Sequence, residues 1–180
     1  MGRLTFRNWD PQQDAEAAYK IYSDFEVVRY LGRTPAVTTS IEEQHERLQR
    51  IVDAMESRGD MTGVWAACLG PEPIGSALFK ELPDGDGNPT GDFEIGWHLR
   101  RDHWGQGLGT EIGRAMLAMA LSHKERVLAI AYPDNKASIR IMEKIGMQPL
   151  GLTNQSYGVE CIAYEAKLLS SNGNDTAADG

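Results

Sequence analysis

The sequence has no apolar run of about eighteen residues, the length that a membrane-spanning helix requires, so we expect no membrane partner. It has only two cysteines, Cys68 and Cys161, whose wide separation disfavours a disulfide framework or a zinc site. We expect both to be buried as small apolar side chains. The first ten residues, MGRLTFRNWD, lack the apolar core of a signal peptide, which predicts a cytoplasmic protein.

Basic residues are also scarce: the sequence has 18 Lys and Arg and 26 Asp and Glu, which gives a net charge of −8. This balance disfavours a nucleic-acid partner, since general affinity for nucleic acid rests on basic surface. It leaves a cationic substrate possible, or no role beyond solubility. His98 and His103 do not have the spacing of metal ligands on a helix, so we expect no metal.

The length of 180 residues predicts one domain over residues 1–169. The remaining segment, 170–180, is small, polar and acidic, and we expect it to be disordered. Along the chain, predicted antiparallel hairpins come first and a strand–helix–strand–helix section follows. This order predicts a mixed α/β fold.

Capping residues and alternation place several elements. Asp10 with Pro11 predicts a helix start, and Ser40 with Glu43 has the capping-box pattern. Residues 93–99 alternate, with Phe93, Ile95, Trp97 and Leu99 on one face and Glu94, Gly96 and His98 on the other. The stretch 81–92 is rich in turn-forming residues and predicts a loop.

Glycine is concentrated in HWGQGLGTE, between that strand and a helix predicted from about Leu108 to Leu121. Glycine is entropically costly to order, so its use here indicates a close approach to the backbone. A helix N-terminus presents free N–H groups and suits phosphate, whereas the alternative is a glycine-rich turn beside solvated arginines. Two nucleotide motifs fail on spacing: no Gly-Lys-Ser/Thr follows, and Thr110 stands where the dinucleotide fingerprint needs glycine.

Two motifs together resemble a known family. WGQGLG at residues 104–109 and NKASIRIMEKIGM at 135–147, separated by a strand, resemble the GNAT acyl-CoA N-acetyltransferases. The resemblance is greatest to the branch that includes ribosomal-protein alanine N-acetyltransferases. Trp104 replaces the Arg or Gln that begins the family's diphosphate loop, and Met147 replaces the usual aromatic residue.

The resemblance implies a GNAT fold, with a central mixed, mostly antiparallel sheet that is splayed at the coenzyme site and flanked by helices. It also implies acetyl-CoA as the acyl donor. Backbone groups of the strand end would pair with the pantetheine arm, the loop amides would hold the diphosphate, and Asn135 and Ser138 would lie along the arm near the sulfur. The cofactor-binding residues implied in this way are His98, Leu99, Arg100, Arg101, Trp104, Gly105, Gln106, Gly107, Leu108, Gly109, Thr110, Asn135 and Ser138.

For the chemistry, Glu94 is the candidate general base, with a surface carboxylate as the alternative interpretation. Met142 stands where many family members have a proton-donating tyrosine and cannot donate. Ser138 is the candidate for protonating or hydrogen-bonding the leaving sulfur, unless its hydroxyl bonds to its own helix backbone.

These residues predict direct transfer of an acetyl group from acetyl-CoA to a primary amine in a ternary complex. By family analogy, the first choice of acceptor is a protein or peptide α-amine. A small-molecule amine, such as an aminoglycoside or polyamine, a longer acyl group and a non-catalytic acyl-CoA-binding module remain alternatives. The protein is expected to be a monomer or a homodimer.

Overall fold

The computed structural model describes residues 2–168, and these form a seven-stranded sheet with helices on both faces. The elements, in chain order, are β1 (Leu4–Arg7), α1 (Pro11–Tyr22), α2 (Phe25–Val28), α3 (Ile41–Arg58), β2 (Gly63–Leu69), β3 (Glu72–Pro83), β4 (Pro89–Leu99), α4 (Leu108–Leu121), β5 (Arg126–Ala131), α5 (Lys136–Lys144), β6 (Gln148–Thr153) and β7 (Cys161–Lys167), with a short 3₁₀ turn, Arg101–His103, before α4.

The strand order in the sheet is β1-β2-β3-β4-β5-β7-β6. Every neighbouring pair is antiparallel except β4 and β5, which run parallel. This confirms the mixed α/β fold and the mostly antiparallel sheet predicted from the sequence.

The parallel pair is also where the sheet opens. β4 and β5 are in register only at Glu94 and Leu128. β4 then continues to Leu99 and β5 to Ala131, and these continuations are not paired with each other. Because parallel strands end at the same edge of a sheet, the glycine loop after β4 and the start of α5 after β5 both lie at the mouth of this gap.

The two faces of the sheet carry separate cores. One face packs against α4 and α5 and buries Phe79, Ile95, Ile112 and Met116, among others. The other face packs against α1, α2 and α3 and buries Trp9, Ile21, Leu48 and Cys68, among others. Cys68 and Cys161 are both free and buried, as expected.

The predicted helix starts are confirmed. Asp10 accepts hydrogen bonds from the backbone N–H groups of Gln12 and Gln13, with Pro11 at the first helical position. Ser40 caps α3 by accepting from Glu43 N–H, while the Glu43 carboxylate returns to Thr39 N–H and not to Ser40. The prediction of a loop over 81–92 was wrong in extent, because β3 reaches Pro83 and β4 begins at Pro89. Strand pairing continues through these turn-forming residues, and only the turn between them remains.

Two of the predictions fall partly or wholly outside the described residues. The segment 170–180 lies beyond them, so its disorder and the single-domain boundary at 169 stay predictions. Within residues 2–168, no helix is both long and apolar enough to cross a membrane.

Glycines let α4 and α5 approach each other closely. A Cβ at Gly109 would lie 2.8 Å from Ile141 Cδ1. A Cβ at Gly113, one turn later, would lie 3.2 Å from side-chain atoms of both Ile141 and Ile145, and 3.3 Å from Trp97. The third glycine of the loop motif is therefore explained by helix packing, and the contact places the first turns of α4 against the second half of α5.

We predict that Gly113→Val lowers the free energy of unfolding by about 2 kcal/mol, because the added atoms overpack a contact that is closed on three sides. The matched control is Ala118→Val, at an exposed position of the same helix, which should cost less than about 1 kcal/mol. Chemical denaturation of both variants measures the difference. Equal losses would contradict the close α4–α5 contact.

Candidate active site

The glycine loop has the backbone shape that the sequence indicated. Gly105 and Gly107 have φ of 74° and 79°, the left-handed region that other residues rarely adopt. Gly107 is the residue before α4, and no side chain caps that helix. The loop from Trp104 to Gly107 is exposed, whereas Leu108, Gly109 and Thr110 are buried as α4 enters the core.

The amides of this segment are free. In the described part of the chain, no N–H group of residues 105–110 donates a hydrogen bond, and the first helical N–H that does is that of Glu111, to Gly107 O at 3.1 Å. The loop is held from outside instead: Arg3 Nη2 donates to Gln106 O at 3.1 Å, and Gln106 Nε2 donates to Asp102 O at 3.1 Å. A row of free amides at the positive end of a 14-residue helix is suited to an anion.

The basic residues before the loop are engaged elsewhere. Arg100 donates to Glu72 at 2.6 Å and to Asp102 at 2.8 Å. Arg101 lies 3.8 Å from Asp24, and His103 contacts Asp102 at 2.6 Å. A phosphate contact from Arg100 would have to compete with two carboxylates, so its role towards a phosphate stays a prediction.

The end of β4 is partly occupied by its own chain. Trp104 is half exposed, and its indole N–H donates to Leu99 O at 2.7 Å. The His98 carbonyl oxygen lies so close to β3 that a Cβ on Gly75 would be 2.2 Å from it. The Leu99 carbonyl thus already accepts a hydrogen bond from Trp104, and the His98 carbonyl is directed towards β3. The pairing of His98 and Leu99 with a ligand stays a prediction.

Asn135 and Ser138 lie at the mouth of the gap, at the start of α5. The Asn135 side chain caps the helix by accepting from Ser138 N–H at 3.2 Å. The Ser138 hydroxyl forms no hydrogen bond with any described residue, so it is not bonded to its own helix backbone and is available to a ligand. Met142 is 1% exposed and lies in the core.

Glu94 lies at the opposite, closed end of the gap and is 6% exposed. Its Oε1 accepts a hydrogen bond from the Tyr157 hydroxyl and lies 3.6 Å from Lys80 Nζ. Lys80 is its partner across the β3–β4 pair, so both side chains are on the same face. Glu94 is thus not the surface carboxylate of the alternative interpretation.

Burial controls the charge of this cluster. Desolvation raises the pKa of Glu94 above its ordinary value of 4.5, although Lys80 and the Tyr157 hydrogen bond act in the opposite direction. The pKa of Tyr157 is raised by burial and by the Glu94 charge, so its hydroxyl stays protonated and donates. A buried carboxyl with a raised pKa is suited to accept a proton near neutral pH.

A second polar cluster, formed by Tyr22, Ser76 and His98, lies on the same face of the sheet as Glu94. The Tyr22 hydroxyl lies 2.5 Å from Ser76 Oγ and 3.0 Å from His98 Nδ1. Burial, with the nearby charges of Lys80 and Arg47, lowers the pKa of His98 to about 4, so the imidazole is neutral at pH 7. Within residues 2–168, no group of three or more His, Cys, Asp or Glu side chains is placed to hold a metal ion.

Two members of the Glu94 cluster were not predicted from the sequence. Lys80 lies opposite Glu94 in the β3–β4 pair. The loop predicted over 81–92 gives no strand register, so the sequence alone does not place Lys80 beside Glu94. Tyr157 comes from the connection between β6 and β7, where it has a positive φ of 55°. Its hydrogen bond spans 63 residues of sequence, and no local pattern indicates such a contact.

The gap, the free amides and the buried carboxyl form a cleft between two parallel strands of an α/β protein, with a group suited to an anion at its mouth and a carboxyl at its closed end. A family model described as an acetyltransferase (GNAT) domain matches residues 3–148. The chain therefore belongs to the GNAT acetyltransferase family and is an acyl-CoA-dependent N-acetyltransferase, which confirms the family predicted from the sequence.

Individual relatives agree with this assignment. The chain is 30% identical over 161 residues to the uncharacterized N-acetyltransferase YoaA of Bacillus subtilis, covering 88% of this chain and 87% of the relative. Among solved structures, it resembles the aminoglycoside acetyltransferase AAC(6')-Ib in complex with ribostamycin and coenzyme A, with a TM-score of 0.73 at 18% identity over 99% of this chain and 100% of that one. It also resembles RimL, a ribosomal L7/L12 α-N-protein acetyltransferase, in complex with coenzyme A, with a TM-score of 0.72 at 19% identity over 93% and 95% of the two chains. At these identities the two structures support the fold alone.

We predict that Glu94→Gln raises the melting temperature, because the wild-type carboxylate is buried at a cost that the amide avoids. Since the folded-state pKa is raised, the carboxyl favours the folded state only below its unfolded pKa, and this contribution is lost as the pH rises through the folded pKa. The advantage of the variant should therefore increase from about pH 4.5 upwards.

The matched control for this measurement is Glu125→Gln, at an exposed carboxyl, which should show little pH-dependent difference from wild type. Thermal melts of the three proteins across the pH range make the comparison. A variant whose advantage shrinks as the pH rises would contradict the raised pKa of Glu94.

Proposed function

We propose that this enzyme transfers an acetyl group from acetyl-CoA to a primary amine by direct attack in a ternary complex, with Glu94 as the general base. The observation that carries the proposal is the combination of free amides at residues 105–110 with a buried carboxyl at the closed end of the same gap. The amides would hold the coenzyme diphosphate, and the unpaired edges of β4 and β5 would hold the pantetheine arm between them.

The length of the gap supports this arrangement. Five residues of β4, Ile95–Leu99, lie between the last strand pair and the loop, and at about 3.3 Å per residue they span about 17 Å. An arm anchored by its diphosphate at the loop would run along this edge and bring its thioester end towards Glu94. The Ser138 hydroxyl, free and at the mouth of the gap, would in this arrangement contact the arm near the loop, and the sulfur would leave at the closed end without a protein acid. A thiolate whose conjugate acid has a pKa near 8.5 does not need a stronger acid.

The proposed role of Glu94 is to remove the proton of the acceptor ammonium. Freeing a lysine-type amine at pH 7 costs about 4–5 kcal/mol, whereas a protein α-amine with a pKa near 8 costs about 1 kcal/mol. A single carboxyl of raised pKa, acting directly or through water, suffices for the second. We therefore propose a protein or peptide α-amine as the acceptor, in line with the ribosomal-protein branch.

The charges near Glu94 also favour this acceptor over a polycation. The two cations Lys80 and Arg47 both act on His98, which lies on the same face as Glu94. A compound with several positive charges would be repelled by them and would find one buried carboxyl that already has a cationic neighbour. A small amine of single charge, such as an amino-acid derivative, remains compatible with this surface.

We predict that Gly107→Asp lowers the affinity for acetyl-CoA at least about 100-fold, because it places a negative charge among the diphosphate amides. Gly107→Asn is the matched control, since it has the same shape and the same unfavourable positive φ without the charge. Calorimetric titration with acetyl-CoA should give a much smaller loss for Asn than for Asp. If wild type does not bind acetyl-CoA, or if Asp binds as wild type does, the coenzyme site is not at this loop.

We predict that Glu94→Gln lowers kcat about 10²- to 10⁴-fold while acetyl-CoA affinity is retained. Release of the free thiol of coenzyme A measures turnover, with a peptide that has a free α-amine compared against an aminoglycoside, and Glu125→Gln as the control. Loss of peptide turnover in Glu94→Gln but not in Glu125→Gln would support Glu94 as the general base. Wild type that binds acetyl-CoA but acetylates neither amine would favour the acyl-CoA-binding module.

A further inference from the structure

An amine of the chain itself occupies the position that an acceptor amine must reach. Lys80 Nζ lies 3.6 Å from Oε1 of Glu94, and it forms the only ion pair of that carboxyl among residues 2–168. The Lys80 side chain is 39% exposed, whereas that of Glu94 is 8% exposed. The lysine therefore connects the buried carboxyl with the outside of the protein.

Tyr157 covers the same carboxyl from the β6–β7 connection. Its hydroxyl donates to Oε1, and Lys80 Nζ lies 5.2 Å from the centre of its ring. The backbone N–H of Tyr157 donates to Pro83 O at 3.2 Å, which anchors this connection to the end of β3. Lys80 and Tyr157 both contact Oε1, so an external amine that approaches this oxygen has to displace Lys80.

The topology brings the reacting end of the donor to the same place. The gap between β4 and β5 closes at the Glu94–Leu128 pair, so a thioester carried down it from the glycine loop stops at the level of Glu94. Lys80 is the cross-strand partner of Glu94 on β3, about 4.8 Å away in the sheet. Its four-carbon stem is flexible and can swing its amine from the carboxylate to a carbonyl in the gap.

We propose that Lys80 is a self-acetylation site that the enzyme modifies when acetyl-CoA is bound and no acceptor is present. This inference rests on the proposed function, because it uses the same donor and the same base. Glu94 takes a proton from the Lys80 ammonium and passes it to water, and the freed lone pair attacks the thioester carbonyl. The nitrogen of the tetrahedral intermediate then loses a second proton to Glu94. The carbon–sulfur bond breaks, the leaving thiolate takes that proton from Glu94, and an amide with one N–H remains at Nζ.

The modification would be limited to one acetyl group at this site, because an amide nitrogen does not react again. It would also remove the positive charge that is paired with Glu94. The reaction is expected to be slow compared with transfer to an α-amine, since lysine side chains are in general more basic than α-amines.

To test this proposal, the protein is incubated with acetyl-CoA and no acceptor, and acetylation of each lysine is followed by peptide mass spectrometry. Lys80 should be acetylated about 100-fold or more faster than the exposed Lys20, which reports uncatalysed reaction with the same reagent. Glu94→Gln should reduce Lys80 acetylation to the level of Lys20, while calorimetry on the same variant should give unchanged acetyl-CoA affinity. Lys80→Arg should remove the fast-reacting site and leave Lys20 unaffected.

These measurements distinguish failure of the self-acetylation proposal from failure of the proposed function. If wild type binds acetyl-CoA and turns over a peptide amine, but Lys80 reacts no faster than Lys20, the self-acetylation proposal is overturned and the proposed function stands. An unchanged Lys80 rate in Glu94→Gln overturns it as well. If wild type does not bind acetyl-CoA, both proposals fall. Gly107→Asp provides a second variant away from the cluster, and it should lose self-acetylation together with coenzyme binding.

Discussion

The site depends on a single interruption of the sheet, where β4 and β5 part after the Glu94–Leu128 pair. A parallel pair that continued to the strand ends would bond the backbone groups that the opening leaves free. Because both strands end at the same edge, the interruption also brings two helix starts together, that of α4 with its glycine loop and that of α5 with Asn135 and Ser138. The glycines Gly109 and Gly113 allow α4 to pack closely against α5 behind this mouth.

Glu94, at the closed end, is held in a state unfavourable for a carboxylate. Burial raises its pKa, whereas Lys80 and Tyr157 partly stabilise its charge. A carboxyl whose pKa is raised by burial beside a specific charged partner is a candidate for proton transfer. Burial and nearby cations lower the pKa of the neighbouring His98, so its imidazole is neutral. The cluster therefore offers one proton acceptor in surroundings that are otherwise cationic or neutral.

Local patterns in the sequence predicted the starts of α1 and α3 and the glycine loop before α4, because these depend on residues close together in the chain. Asp10 and Ser40 each cap the helix that follows them, as predicted. The short helix α2 was not predicted. The turn between β3 and β4 was predicted too long, because strand pairing overrides the turn preference of glycine and proline. Tyr157 could not be predicted, since its contact with Glu94 depends on how β7 inserts between β5 and β6.

If Glu94 is the general base, its buried carboxyl is prepared to accept a proton, and its ionisation can be observed directly. Carbon-13 NMR of the labelled side-chain carboxyl, assigned by comparison with Glu94→Gln, gives its titration midpoint in the folded protein. We expect a midpoint above the ordinary glutamate value of 4.5. A midpoint at or below that value would mean that Lys80 and Tyr157 outweigh burial, and Glu94 would then be a structural ion-pair partner and not the base.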